Sequence, residues 1–148
     1  MVSRPKKLWG IGIFILIAIC LMACRVYAQG ADGLYVKAKD YINQGRYDEA
    51  IAELTKVIQI NPNLAEAYYL RATLYRNKND LERAIPDYSK AIELAPDNGE
   101  YHYWRAVSYY FTKEYGKSWD DLHKAEALGY AVPSFFIADL KNASGRDK

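Results

Sequence analysis

The chain has only two cysteines, Cys20 and Cys24, and both fall in an apolar stretch near its start. The remainder has none, so no disulfide or thiolate metal site holds it together, which suits an oxidising compartment. Histidine is as scarce. His102 and His123 stand far apart, with no metal-ligand spacing around either. Asp120 and Asp121 precede His123, but neighbouring helical residues point in different directions, so the expectation is a solvated helix face and not a catalytic pair. The chain also lacks a glycine-rich phosphate loop and a G-x-S-x-G turn. A basic stripe is missing too. Of 20 Lys and Arg residues, Arg4, Lys6, Lys7 and Arg25 lie in the leader, and the rest are outnumbered by 18 acids, so no nucleic-acid footprint remains. These absences lead us to expect no enzyme, no cofactor and no bound metal.

The one long apolar run, Leu8 to Ala23, comes after Arg4, Lys6 and Lys7. As a helix it would span roughly 24 Å, short of a hydrocarbon core of about 30 Å. A basic start, a short apolar stretch and the small residues Val26 and Ala28 are the marks of a secretory leader over 1–28. The positive end stays in the cytoplasm, which sends the rest of the chain across the membrane. Three outcomes stay open: cleavage after Ala28, lipidation of Cys24 in Leu21-Met22-Ala23-Cys24, which resembles a bacterial lipobox, or retention as an anchor. The expected location is beyond the cytoplasmic membrane, periplasmic or anchored in a bacterial envelope.

Tyrosine, with 14 residues, is what the chain has in excess, and its tyrosines recur at a fixed interval. With Ala31, Ala65 and Gly99 as first positions, a period of 34 residues aligns three copies, 31–64, 65–98 and 99–132. The fifth positions are Tyr35, Tyr69 and Tyr103, the seventh Lys37, Arg71 and Arg105, and the eleventh Tyr41, Tyr75 and Tyr109. Small residues fill the eighth (Ala38, Ala72, Ala106) and the twentieth (Ala50, Ala84, Ser118), and Val57, Ala91 and Ala125 the twenty-seventh. Pro62 and Pro96 close the first two copies, each biasing the residue before it away from helix.

Small residues at 8, 20 and 27, an aromatic at 11 and proline at 32 resemble the tetratricopeptide repeat. The expected fold is all-α: an α-solenoid of three helix-turn-helix hairpins, a capping helix over 133–143 that begins at Pro133, and a frayed tail over 144–148. Small side chains let the paired helices approach, and stacking covers the apolar side that one hairpin leaves bare. Phe136, Ile137 and Leu140 form the apolar face of the cap. Pro86, inside the second helix of copy two, removes a backbone hydrogen bond and predicts a local bend.

The resemblance implies a protein-interaction module whose first helices line an inner, concave face, binding another protein or a peptide segment through positions 2, 5, 9, 12 and 13. Copy one offers Asp32, Tyr35, Lys39, Ile42 and Asn43; copy two Glu66, Tyr69, Thr73, Arg76 and Asn77; copy three Glu100, Tyr103, Val107, Tyr110 and Phe111. Two alternatives stand beside this assignment. The acids at 2 and tyrosines at 5 are also common scaffold, and the cap could fold over the aromatic cluster of copy three and make it core. Family members that grip acidic C-terminal tails use Lys and Asn in copy one, Asn in copy two, and Lys and Arg in copy three. Tyr35, Lys39, Leu70, Glu100 and Trp104 stand there instead, which argues against that ligand. A pilotin-like lipoprotein, anchored through Cys24 and assembling a membrane complex, is the alternative function; self-association through copy three would make a homo-oligomer.

Overall fold

A computed structural model describes Ile17 and residues 30–145. The leader features, Cys24 included, therefore lie outside the described residues. Within 30–145, seven helices succeed one another: α1 over 30–43, α2 Tyr47–Ile60, α3 Ala65–Asn77, α4 Leu81–Leu94, α5 Gly99–Phe111, α6 Tyr115–Ala127 and α7 Ser134–Ser144. They form three hairpins, α1–α2, α3–α4 and α5–α6, with α7 as the cap. Consecutive helices pack together, and α3 also touches α5, so the first helices make a shared layer.

The small residues do what their size predicts. Ala38, Ala72 and Ala106, Ala50, Ala84 and Ser118, and Val57, Ala91 and Ala125 are all wholly inaccessible to solvent. A larger group at any of them would hold two backbones apart. Leu54, Tyr88 and Leu122, at position 24, are equally buried beside them. Ser118, the one hydroxyl in the set, donates to the Ala106 carbonyl at 2.7 Å, so its burial leaves no unpaired polar atom.

The turn inside each hairpin is the same device three times. Gly45, Asn79 and Lys113, all at position 15, take φ of 72°, 60° and 63°. In each, the amide of that residue bonds three residues back (to Ile42, Arg76 and Tyr110) and the next amide five back (to Tyr41, Tyr75 and Tyr109). This Schellman arrangement satisfies the last carbonyls of the first helix and reverses the chain. Lysine is poorly suited to that backbone, where a non-glycine residue carries about 1–3 kcal/mol of strain. Lys113→Gly is expected to raise stability by about 0.5–1 kcal/mol, since relief of strain exceeds glycine's entropy cost. A urea midpoint that fails to rise would contradict it.

Pro86 does not interrupt α4, which keeps 14 residues, the same length as α2. The helical bond it removes would have ended on the Glu82 carbonyl. Both residues are exposed, so that carbonyl is open to solvent and the loss costs little. The cap differs by one residue from expectation: Pro133 has ψ 128° and stands just outside α7, which starts at Ser134. Of the tail expected over 144–148, Ser144 and Gly145 are described and 146–148 lie outside the described residues. Ser144 belongs to α7 and accepts a hydrogen bond from Trp119 Nε1 at 3.1 Å, and Gly145 ends the helix at φ 65°.

Candidate binding face

A periodic polar network, not anticipated from the sequence, runs between the hairpins. In each copy the cation at position 7 reaches an acid at position 23 on the partner helix. Lys37 Nζ bonds Glu53 at 2.9 Å. Arg71 grips Asp87 at two points, 2.7 and 2.8 Å, and Arg105 grips Asp121 at two points, both 2.7 Å. The arginines also reach backwards, Arg71 to Thr55 at 3.1 Å and Arg105 to Ser89 at 2.9 Å, both hydroxyls at position 25 of the preceding copy. One guanidinium thus ties two helices of its own copy to the copy before it, which an ammonium cannot do with the same fork geometry. The signal was in the sequence as a second recurring row, Glu53, Asp87, Asp121, sixteen residues after the first. Lys37 holds the Glu53 carboxyl below its usual range, and Asp87 raises Arg71.

Asp121 is therefore not part of a solvated face, although Asp120 and His123 are exposed as expected. It is buried, and takes both Arg105 and His102 Nδ1, the latter at 3.1 Å. His102 Nε2 faces the Pro96 carbonyl at 3.3 Å. With both ring nitrogens engaged inside the protein, His102 has no free edge to act as a base, and the cluster is structural.

On the first-helix layer, copies one and two present Lys39, Asn43 and Asn77 to solvent, with Tyr35, Tyr69, Thr73 and Arg76 half-buried among them. Tyr69 donates to Glu100 Oε1 at 2.7 Å, and Trp104 Nε1 meets the same oxygen at 3.4 Å. Burial, then Glu100, pushes the Tyr69 phenol above its usual range and keeps it a donor. Tyr101 stacks on Tyr69 with centroids 4.8 Å apart, filling the step between copies two and three. Thr73 is spent on the Tyr69 carbonyl and the Tyr88 hydroxyl. Tyr35 Oη is buried without a hydrogen-bond partner among the described residues, and burial followed by Glu66 raises its phenol. Arg76 lies over the Trp104 indole, 3.8 Å from the ring centroid. Tyr101 and Trp104, at positions 3 and 6, were not among the expected binding residues, because the resemblance points to positions 2, 5, 9, 12 and 13.

Copy three departs from the expected assignment. Tyr103 and Val107 are buried, joining Trp119, Leu122, Phe136 and Leu140 in one core. Phe136 meets Tyr103 edge-on at 5.6 Å and Tyr110 at 5.6 Å, while Tyr130 stacks on Tyr103 at 5.0 Å. The apolar stripe of α7 needs a cover, and the aromatic face of α5 supplies it. Tyr103 and Val107 are core and not groove, and Tyr110 is half-covered. Phe111 stays 62% exposed, but it sits beside the α3–α4 turn in a cleft with Lys78, Asp80 and Leu81, away from the row on α1 and α3.

The tetratricopeptide-repeat family profile matches residues 35–99 and again 69–122. The chain belongs to the tetratricopeptide-repeat family. No relative among curated proteins matches. Solved structures of the same fold include one titled the first tetratricopeptide domain of Spaghetti (RPAP3) bound to an HSP90 peptide. It is 23% identical over 79% of this chain and 92% of that one, with a TM-score of 0.71. A yeast Sti1 domain in complex with an Hsp70 peptide is 22% identical over 81% and 99%, TM-score 0.69. MamA is 21% identical over 84% and 78%, TM-score 0.70. At these identities the likeness concerns the fold.

Proposed function

We propose that the array is a protein-interaction module that holds a segment of another protein across the first helices of copies one and two. The observation that carries this reading is the contrast along one layer. The α5 face is covered by α7, whereas Lys39, Asn43 and Asn77 on α1 and α3 reach solvent beside half-buried Tyr35, Tyr69 and Arg76. Aromatic rings with a polar rim suit a binding surface. The peptides named with two structures of the same fold support it. On the strength of the leader, the module acts beyond the cytoplasmic membrane. Photoreactive residues placed at Asn43 and Asn77 in intact cells should yield a partner adduct that the same probe at Gln59, on α2, does not. Equal labelling from all three positions would refute the proposed face.

The ligand is not an acidic C-terminal tail. The two positions that family tail-binders fill with bases in copy three are Glu100 and Trp104, and Glu100 is held in place by Tyr69. Its charge repels a terminal carboxylate. Calorimetry with a heptapeptide ending in two acids and a free carboxylate should show no micromolar binding, and micromolar binding would overturn this exclusion.

The lipobox-like segment at Leu21 to Cys24 favours a second reading, a lipid-anchored assembly factor. Feeding cells a labelled fatty acid should then mark the wild-type chain and not Cys24→Ala. An unlabelled wild-type chain removes this reading and leaves the first.

A further inference from the structure

Three arginines are half-buried between the helices, and two of them are fully engaged. Arg71 and Arg105 each close a two-point bond on an aspartate and a third bond on a hydroxyl. Arg76 differs. Its Nε–H is buried with no acceptor among the described residues, and its Nη2 donates only to the side-chain oxygen of neighbouring Asn77 at 3.3 Å. No carboxylate among the described residues forms an ion pair with it. Glu100, which accepts from the same Trp104, has one oxygen committed to Tyr69 and Trp104. The Trp104 indole supports the guanidinium from one side at 3.8 Å, a cation–π contact that offsets part of the desolvation cost. A guanidinium is always charged, and a partly desolvated charge without a counter-ion is unfavourable.

We propose that Arg76, backed by Trp104, receives the side-chain carboxylate of an aspartate or glutamate lying inside the bound segment. The assignment rests on the reading that the α1–α3 face holds such a segment. With Nε inaccessible, the Nη1 and Nη2 edge of the guanidinium matches one planar carboxylate through two parallel hydrogen bonds. The match is to an internal residue and not to a chain end, because Tyr35, Leu70, Glu100 and Trp104 stand where a tail clamp would need its donors and bases. The acid therefore sets the register of the segment, while the rings of Tyr35 and Tyr69 supply contact area.

The test is a library of random twelve-residue peptides displayed as internal loops, without free ends, selected on the full-length chain. Selected peptides should share an acid at one position. Changing that acid to its amide should weaken binding about ten- to a hundredfold, the range for losing a hydrogen bond to a charged group. In Arg76→Gln the acidic and amide peptides should bind equally, so that the two changes are coupled and not additive. Binders without a shared acid, or an acid-to-amide loss of the same size in Arg76→Gln, overturn the assignment of Arg76 and leave the interaction face standing if Asn43 and Asn77 still yield adducts. Failure to recover any binder overturns the assignment as well, and together with absent adducts it overturns the face.

Discussion

Asp121→Ala is expected to cost about 3–5 kcal/mol, the range for removing one partner of a buried ion pair. Asp121 is buried and accepts from three donors: Arg105 Nε, Arg105 Nη2 and His102 Nδ1. Truncation leaves Arg105 with only Ser89, and leaves one imidazole nitrogen of a buried histidine facing an empty site. Domains of this kind are stable by about 5–15 kcal/mol in all, so the variant should lose a large part of its margin. The same truncation at Glu53 should cost far less, about 1 kcal/mol or under. Its partner Lys37 is 51% exposed, and water can solvate the ammonium when the acid is gone. Urea unfolding of both variants measures the difference. Similar midpoints for Asp121→Ala and Glu53→Ala would mean that the network does not tighten toward the C-terminal end.

Phe136→Ala should cost about 3–5 kcal/mol, as for other large aromatics removed from a core. Phe136 is the side chain through which α7 meets both Tyr103 and Tyr110. Without it the cap keeps Leu140 and the Trp119–Ser144 bond, both toward the far end of a short helix, and a cavity opens over α5. Limited proteolysis should then cut the linker between α6 and α7 much faster than in the wild type. Phe135 provides the control. It lies next in sequence but is 66% exposed, so Phe135→Ala should change stability by less than about 0.5 kcal/mol. If the two variants unfold alike, α7 does not seal copy three.

The packing scheme was legible in the sequence because size is what it depends on. Alanine at 8 and 20 and a tyrosine at 11 can be read without knowing what they touch, since close helix approach allows little else. The turns were legible for Gly45, and hidden at Lys113, whose side chain gives no hint of positive φ. The charge network was hidden for another reason. Arg71 and Asp87 lie on different helices, and a charged residue on one helix face looks the same whether it meets water or a partner. For the same reason Asp121 read as solvated beside Asp120. The binding face was half legible. Position 5 is a tyrosine in all three copies, so nothing at that position marks the copy over which α7 returns. Arg76 stood at an expected position, but its lack of a counter-ion is a fact of three dimensions.

The placement of α7 bears also on how copies of the chain can meet. A repeat array with two bare ends is a building block for an open filament, because the last face of one molecule is shaped like the covering that the first face of the next requires. Here the last apolar face is occupied by the chain's own Phe136 and Leu140. Head-to-tail contact through that apolar face would require α7 to leave it first.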